Sequence, residues 1–173
     1  MTDGADFSWT VAELPAAMVG HPQDALGAIR SQQREGEMLQ AFDRRAVAGP
    51  RHLESAYAHA RRATSAGRGR VRDPGALTAL YLAGTDQLER AIRRVGLDGE
   101  TREVVLVAAP ARDLRTLLAA LGWPPAKEPL PEAPSESTLE RLGIERPRYA
   151  GRPASERESL VLEHVAMVDF ALR

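Results

Sequence analysis

"REVVLVAAP", residues 102–110, decides the fold class of this 173-residue chain. Its centre is short, β-branched and apolar on both faces, bounded by charge on one side and Pro110 on the other. Such a run reads as a strand internal to a sheet. Directly after it, "ARDLRTLLAALGW" (111–123) has the spacing of an amphipathic helix closed by Gly122. Directly before it, "TDQLERAIRRVG" (85–96) has Asp86 as a cap, Glu89 three residues on and Gly96 as a stop, a capping-box pattern. Its stripe of Leu88, Ile92 and Val95 is a candidate partner-binding face, with an internal core face as the competing reading. A strand between two helices makes the protein α/β.

The outer segments extend this pattern. "FSWTVAEL" (7–14) and "EMLQAF" (37–42) read as two further strands. "HPQDALGAIRSQQREG" (21–36) between them reads as a helix with Ala25, Ala28 and Ile29 inward and Gly36 as its stop. In "GPRHLESAYAHARRA" (49–63), Pro50 suits a first helical position, and Leu53, Ala56, Tyr57, Ala60 and Ala63 make the inward face. His52 and His59 are read as surface residues. "DPGALTALYLAG" (73–84) is capped by Asp73 and is apolar nearly all round, so it should be central and buried. From "PPAKEPLPEAPSES", at about 124–137, composition shifts to Pro and Glu, an exposed excursion or linker. "STLERLGI" is then a short helix and "ERPRYAGRPA" a loop. "SERESLVLEHVAMVDFAL" (155–172) starts as a helix capped at Ser155 or Ser159, and "AMVDFAL" is a candidate last strand. The sum is a single domain with one small mixed sheet flanked by several helices.

Composition narrows the function classes. Hydrophobic residues make 43 % and charged residues 27 %, the balance of a globular chain rather than a disordered one. The chain holds no cysteine, so disulfides, thiolate catalysis and Cys-ligated metals are excluded. "MTDGADFSWTVAELP" lacks a basic region followed by an apolar run, and no run approaches the roughly 20 residues that span a bilayer. A cytoplasmic protein without a membrane is the expectation. The net charge of −1 hides an uneven distribution. Between Arg44 and Arg72 stand eight arginines against one acid, Glu54, and the rest of the chain is acidic. A basic block in an acidic chain signals local anion binding, with nucleic acid the commonest large anion. Arg51 and Arg62, three helical turns apart, point the same way into solvent. Arg68, Arg70 and Arg72 sit in a Gly-containing loop suited to following a phosphodiester chain.

No catalytic signature competes with that reading. His52 and His59, seven apart on a helix, are separated by about 10.5 Å, too far for one zinc ion. There is no nucleophile elbow and no phosphate-binding glycine loop. Asp43, Asp98 and Asp113 fall at turn or cap positions. A binding or regulatory protein without cofactor or metal is expected. An enzyme using Asp43 or Glu163, or a stand-alone RNA-binding adaptor, are the alternatives.

The order of segments carries a resemblance. "LQAFDRRAVAGPRHLESAYAHA", "LYLAGTDQLERAIRRVG", "VVLVA" and "LVLEHVAMVDF" together resemble the smallest regulatory subunit of the archaeal KEOPS complex, the family that includes the PRPK-binding protein. The similarity runs from about Leu39 to the C-terminus without the Pro-rich excursion. Its most characteristic piece is a Gly-Thr-x-Gln-[Ile/Leu] corner, met by Gly84, Thr85, Gln87 and Leu88. The resemblance implies an α/β fold with a mixed sheet and no catalysis. It also implies binding to a small kinase-like ATPase of PRPK or Bud type, and docking of the tRNA 3′ CCA end during threonylcarbamoyladenosine formation. The tRNA site so implied would use Arg51, Arg62, Arg68, Arg70, Arg72, Gly84, Thr85 and Gln87, with Tyr81 and Tyr57 as candidates for stacking on bases and core packing as the competing reading for Tyr81. The family often carries a basic residue where Asp86 stands; here the arginine loop upstream would supply that charge.

Overall fold

The computed structural model describes residues 6–67 and 71–172. They form two compact units, each assembled from two stretches of chain. Residues up to Arg44 and Leu97–Pro129 make the first; Arg45–Gly96 and the chain from Leu130 make the second.

The first unit holds the sheet. Strands β1 (Ser8–Glu13), β2 (Met38–Asp43) and β3 (Glu103–Ala109) lie in the order β1-β3-β2. The segment that decided the fold class is therefore the central strand, and residues 104–108 of it are buried throughout. Both pairings are antiparallel, with Thr10 opposite Leu106 and Ala41 opposite Leu106. The α/β class holds; the sheet is antiparallel where a mixed sheet was expected. No pair of neighbouring strands runs parallel, although helix α1 (Pro22–Gln32) intervenes between β1 and β2, because those two strands flank β3 instead of each other. One face of the sheet packs on α1 and α5 (Leu114–Leu121) through Ala12, Leu39, Ala41, Leu106 and Ala108 against Ala25, Ile29, Leu117 and Leu118. Asp113 caps α5 by accepting from the Arg115 amide, and Gly122 closes it in the left-handed conformation. Helix α1 ends at Gln32, one turn before the expected Gly36.

The Pro-rich segment has a structural role at its start. Glu13 N–H donates to the Pro124 carbonyl and Ala126 N–H to the Val11 carbonyl, so this stretch covers part of the outer edge of β1. Covering an edge removes unpaired backbone groups that would otherwise recruit other strands.

The second unit is helical. A single 3₁₀ turn at Arg44–Ala46 precedes its α2 (Pro50–Ser65), α3 (Pro74–Ala83) and α4 (Leu88–Val95). After the Pro-rich segment come α6 (Glu136–Arg141), α7 (Arg146–Tyr149) and α8 (Ala154–Ala171). Helix α7 is a single turn inside the stretch expected to be loop. Helix α3 packs on α2, α4 and α8, and seven of its ten residues are buried. It is central, as its all-round apolar pattern requires. Helix α8 runs unbroken to Ala171, so the expected last strand "AMVDFAL" is helix. Leu160, Val161, Val165 and Val168 form one buried stripe, a helical period that overrides the β-branched composition. The helix begins at Ala154 after Pro153, ahead of the serines expected to cap it.

Candidate functional site

The corner between α3 and α4 was the expected centre of a tRNA-end site, and its geometry is closed on itself. Gly84 has φ +61°. Its N–H donates to the Tyr81 carbonyl and that of Thr85 to the Leu80 carbonyl, the paired bonds that terminate a helix on a left-handed residue. The Gln87 N–H donates to the Thr85 hydroxyl at 3.2 Å. Three backbone donors of the corner are thus spent inside it. A Cβ on Gly84 would collide with the His164 ring, so this glycine is demanded by packing as well as by φ.

Asp86 is exposed and does not cap α4; the position before the first helical residue is Gln87, without a side-chain cap. The Thr85 hydroxyl already holds the Gln87 amide, and the helix starts one residue later than Asp86 would require. Glu89 pairs with Arg93 one turn on rather than closing a capping box.

Beneath the corner, Arg94 and His164 fasten the helices. Arg94 Nη1 donates to the Ala83 carbonyl at 2.9 Å, and the Arg94 carbonyl accepts from Arg141 Nε at 2.8 Å. His164 Nε2 lies 3.2 Å from the Leu142 carbonyl. Burial, then the Arg94 charge, holds the His164 pKa below the usual imidazole value.

The arginines divide. Arg51 and Arg62 are exposed on α2, as their spacing requires, and Arg51 pairs with Glu158 at 3.0 Å. Arg72 is exposed. Arg68 and Arg70 lie outside the described residues.

Tyr81 corrects the expectation of a base-stacking surface. It is fully buried, and its hydroxyl donates to Asp169 Oδ1 at 2.7 Å. A ring enclosed by α2, α3 and α8 has no free face for a base; it fills the core, as aromatics commonly do. Tyr57 is half-buried. Asp169 also meets His59 Nδ1 at 2.8 Å, and the His59 and Tyr81 rings lie 5.4 Å apart. Burial opposes the Asp169 charge, but the Tyr81 hydroxyl and His59 outweigh it, and the Asp169 pKa falls below the usual carboxylate value. This chain of polar side chains ties α2, α3 and α8 together.

His52 is the second correction. Expected at the surface, it is 3 % exposed. The Ala48 N–H donates to its Nδ1 at 3.1 Å, and its Nε2 lies 3.0 Å from the Leu82 carbonyl. A backbone donor at Nδ1 requires the neutral ring with its proton on Nε2. Burial drives the His52 pKa down to about 4; the Leu82 carbonyl opposes the shift and the His164 charge adds to it. The sequence held a signal for this placement: His52, Ala56, Ala60 and Ala63 share one helical face, and all four are buried.

The alternative carboxylates are engaged. Asp43 is buried and accepts from the Thr101 hydroxyl at 2.7 Å, while exposed Glu163 pairs with Arg148 at 3.1 Å. Asp98 and Asp113 sit in a turn and at a cap, as their positions suggested. Among the described residues no three His, Asp or Glu side chains gather as metal ligands, and no helix is long and apolar enough to cross a membrane.

The partner stripe also divides. Val95 is 1 % exposed and belongs to the core, whereas Leu88 and Ile92 are 40 % and 58 % exposed. Two residues that sequence reasoning missed join them: Met167 and Phe170 on α8, 55 % and 59 % exposed. No family model matches this chain, and no curated protein matches it.

Proposed function

We propose that the protein is a non-catalytic regulatory subunit of a KEOPS-type assembly. In this reading it binds a small kinase-like ATPase and presents the 3′ CCA end of tRNA for threonylcarbamoyladenosine formation. One observation supports it above the rest. Among the described residues, the large apolar side chains left exposed are Leu88, Ile92, Met167 and Phe170. All four lie on "LYLAGTDQLERAIRRVG" and "LVLEHVAMVDF", two of the segments that carry the resemblance. Exposed aliphatic and aromatic residues at one-turn spacing on helices are what a protein partner buries.

The RNA half of the reading rests on the arginines. With Tyr81 buried, the corner donors internally bonded and Arg51 paired with Glu158, Arg62 and Arg72 are the described arginines of the expected set left to meet phosphates. Binding of this kind is salt-dependent, each phosphate contact adding about one to the slope of log K against log salt.

The test is co-expression with a kinase-like ATPase of PRPK or Bud type, followed by tRNA binding with and without the CCA end. Wild-type protein should co-purify with the ATPase, and Ile92→Glu with Met167→Glu should abolish that. Arg62→Ala with Arg72→Ala should weaken tRNA binding and flatten its salt slope by about two. Failure to co-purify, or equal affinity for tRNA lacking CCA, would sink the reading.

A further inference from the structure

Asp169 ties α2, α3 and α8 together, and in doing so it fixes the tautomer of His59. Burial opposes the Asp169 charge, but the Tyr81 hydroxyl, His59 and, more weakly, Arg62 keep the carboxyl ionised. An ionised carboxylate only accepts hydrogen bonds. One oxygen takes the Tyr81 hydroxyl at 2.7 Å and the other faces His59 Nδ1 at 2.8 Å, so Nδ1 carries the ring proton. The neutral ring then has its lone pair on Nε2.

That nitrogen is unused. Nε2 has no partner among the described residues. Nor is it sealed off. Among the described residues, the buried side-chain nitrogens without a partner belong to Arg112, Trp123 and Arg157, and the His59 side chain keeps 16 % of its surface exposed. His52, by contrast, spends both ring nitrogens inside the fold. His59 therefore offers solvent an acceptor of fixed direction.

A cation stands beside it. Arg62 lies three residues along α2, on the same face, about 5–6 Å away between Cβ atoms. Arg62 is exposed, and its guanidinium has no partner among the described residues. A ligand that suits both side chains carries a hydrogen-bond donor close to an anion. Ribose in RNA has that pair on adjoining ring carbons, the 2′-hydroxyl beside the 3′-phosphate, and the deoxyribose of DNA lacks the hydroxyl. The amines of the bases lie farther from the phosphate.

We infer that His59 and Arg62 take one ribonucleotide of a single-stranded RNA, Nε2 accepting from the 2′-hydroxyl while the guanidinium meets the adjoining phosphate. Resting on the RNA half of the proposed function, this assigns affinity for any nucleic acid to Arg62 and the choice of RNA over DNA to His59. Asp169 is the positioning residue, since it sets which ring nitrogen is the acceptor.

Fluorescence anisotropy of the full chain with a short single strand ending in CCA, as RNA and as all-deoxy DNA, tests this. The RNA should bind about fivefold tighter, the size of one neutral hydrogen bond. His59→Ala should bring that ratio to about one. In Asp169→Asn the amide oxygen takes the Tyr81 hydroxyl, and the amide nitrogen then donates to Nδ1, moving the ring proton to Nε2. The preference for RNA should vanish there too, although the ring remains. Arg62→Ala should weaken both strands alike and leave the ratio intact. Partial unfolding of a variant lowers both affinities together, so it does not imitate a changed ratio. Equal binding of RNA and DNA by the wild type overturns the inference and leaves the RNA reading standing, as does a ratio that survives His59→Ala. Binding of neither strand overturns both. Displacement of the RNA by free ribose 5-phosphate at the RNA's own concentration would assign the pair to a small sugar phosphate, and would overturn the inference too.

Discussion

Each unit encloses a polar side chain that a packed interior disfavours, and the two do so by opposite chemistry. In the first unit Arg112 and Glu37 are buried as a charged pair, with side chains 10 % and 5 % exposed. In the second, His52 is buried as a neutral ring between the Ala48 amide and the Leu82 carbonyl. The pair is an electrostatic commitment: each charge is tolerable only while the other is present. The imidazole is a protonation commitment, tolerable only while it is uncharged. Mutation should therefore expose the first most sharply and acid the second.

The largest effect is expected where one charge is left alone. Glu37→Ala should destabilise the protein by about 3–5 kcal/mol, because Arg112 then remains buried without its counter-ion. Adding Arg112→Met to that variant should return part of the loss, since the unpaired charge goes as well. Urea midpoints of the single and double variants give the comparison. A double variant less stable than Glu37→Ala alone would mean that packing, not charge, dominates the site.

Legibility followed the range of the interaction. Asp73, Asp113, Gly84 and Gly122 act where the sequence suggested because a cap or stop is decided within a few residues. The central strand stood out because burial on both faces leaves an unbroken apolar run. The Arg112–Glu37 pair joins residues 75 apart, and no local pattern announces it. Strand order was invisible for the same reason. Asp86 misled because Thr85 beside it offers a competing hydroxyl, and only geometry decides which is used. The end of α8 misled because Val165, Val168 and Phe170 suit either period over so short a window. For the candidate site, Arg51 and Arg62 were readable as exposed, whereas the stripe of Leu88, Ile92 and Val95 was open between interface and core, and Tyr81 between stacking and core packing. The all-round apolar pattern of α3 was the better guide.

Acid should separate the two units next. The folded-state pKa of His52, about 4, lies below its ordinary 6.5, so between those values the unfolded chain binds more protons than the folded one. Stability contributed by neutral His52 is therefore complete above about pH 6.5 and is lost progressively as pH falls toward 4. The loss amounts to roughly 3 kcal/mol at about 1.4 kcal/mol per pH unit. The lowered pKa of His164 acts in the same direction. Asp113 and Asp169, also lowered, contribute only at more acid pH, where unfolded carboxylates begin to protonate. Urea midpoints at pH 7.5 and 4.5 should differ markedly in the wild type and far less in His52→Gln. A wild-type midpoint unchanged across that range would contradict the neutral buried ring.

The smallest effect tests a third arrangement, between the other two in burial. Asp169 is 31 % exposed at its side chain and is shared by His59 and the Tyr81 hydroxyl. Tyr81→Phe keeps the ring in the core and removes one neutral donor. A carboxylate with that much exposure can recruit water in place of the hydroxyl, so the cost should be about 1 kcal/mol and not the several expected at Glu37. The variant should also raise the Asp169 pKa, because the Tyr81 hydroxyl is the first of the groups holding it down. Carboxyl carbon titration by NMR reads that shift directly. A Tyr81→Phe cost equal to that of Glu37→Ala would show that water does not reach Asp169, and that this half-exposed carboxylate behaves as a buried charge.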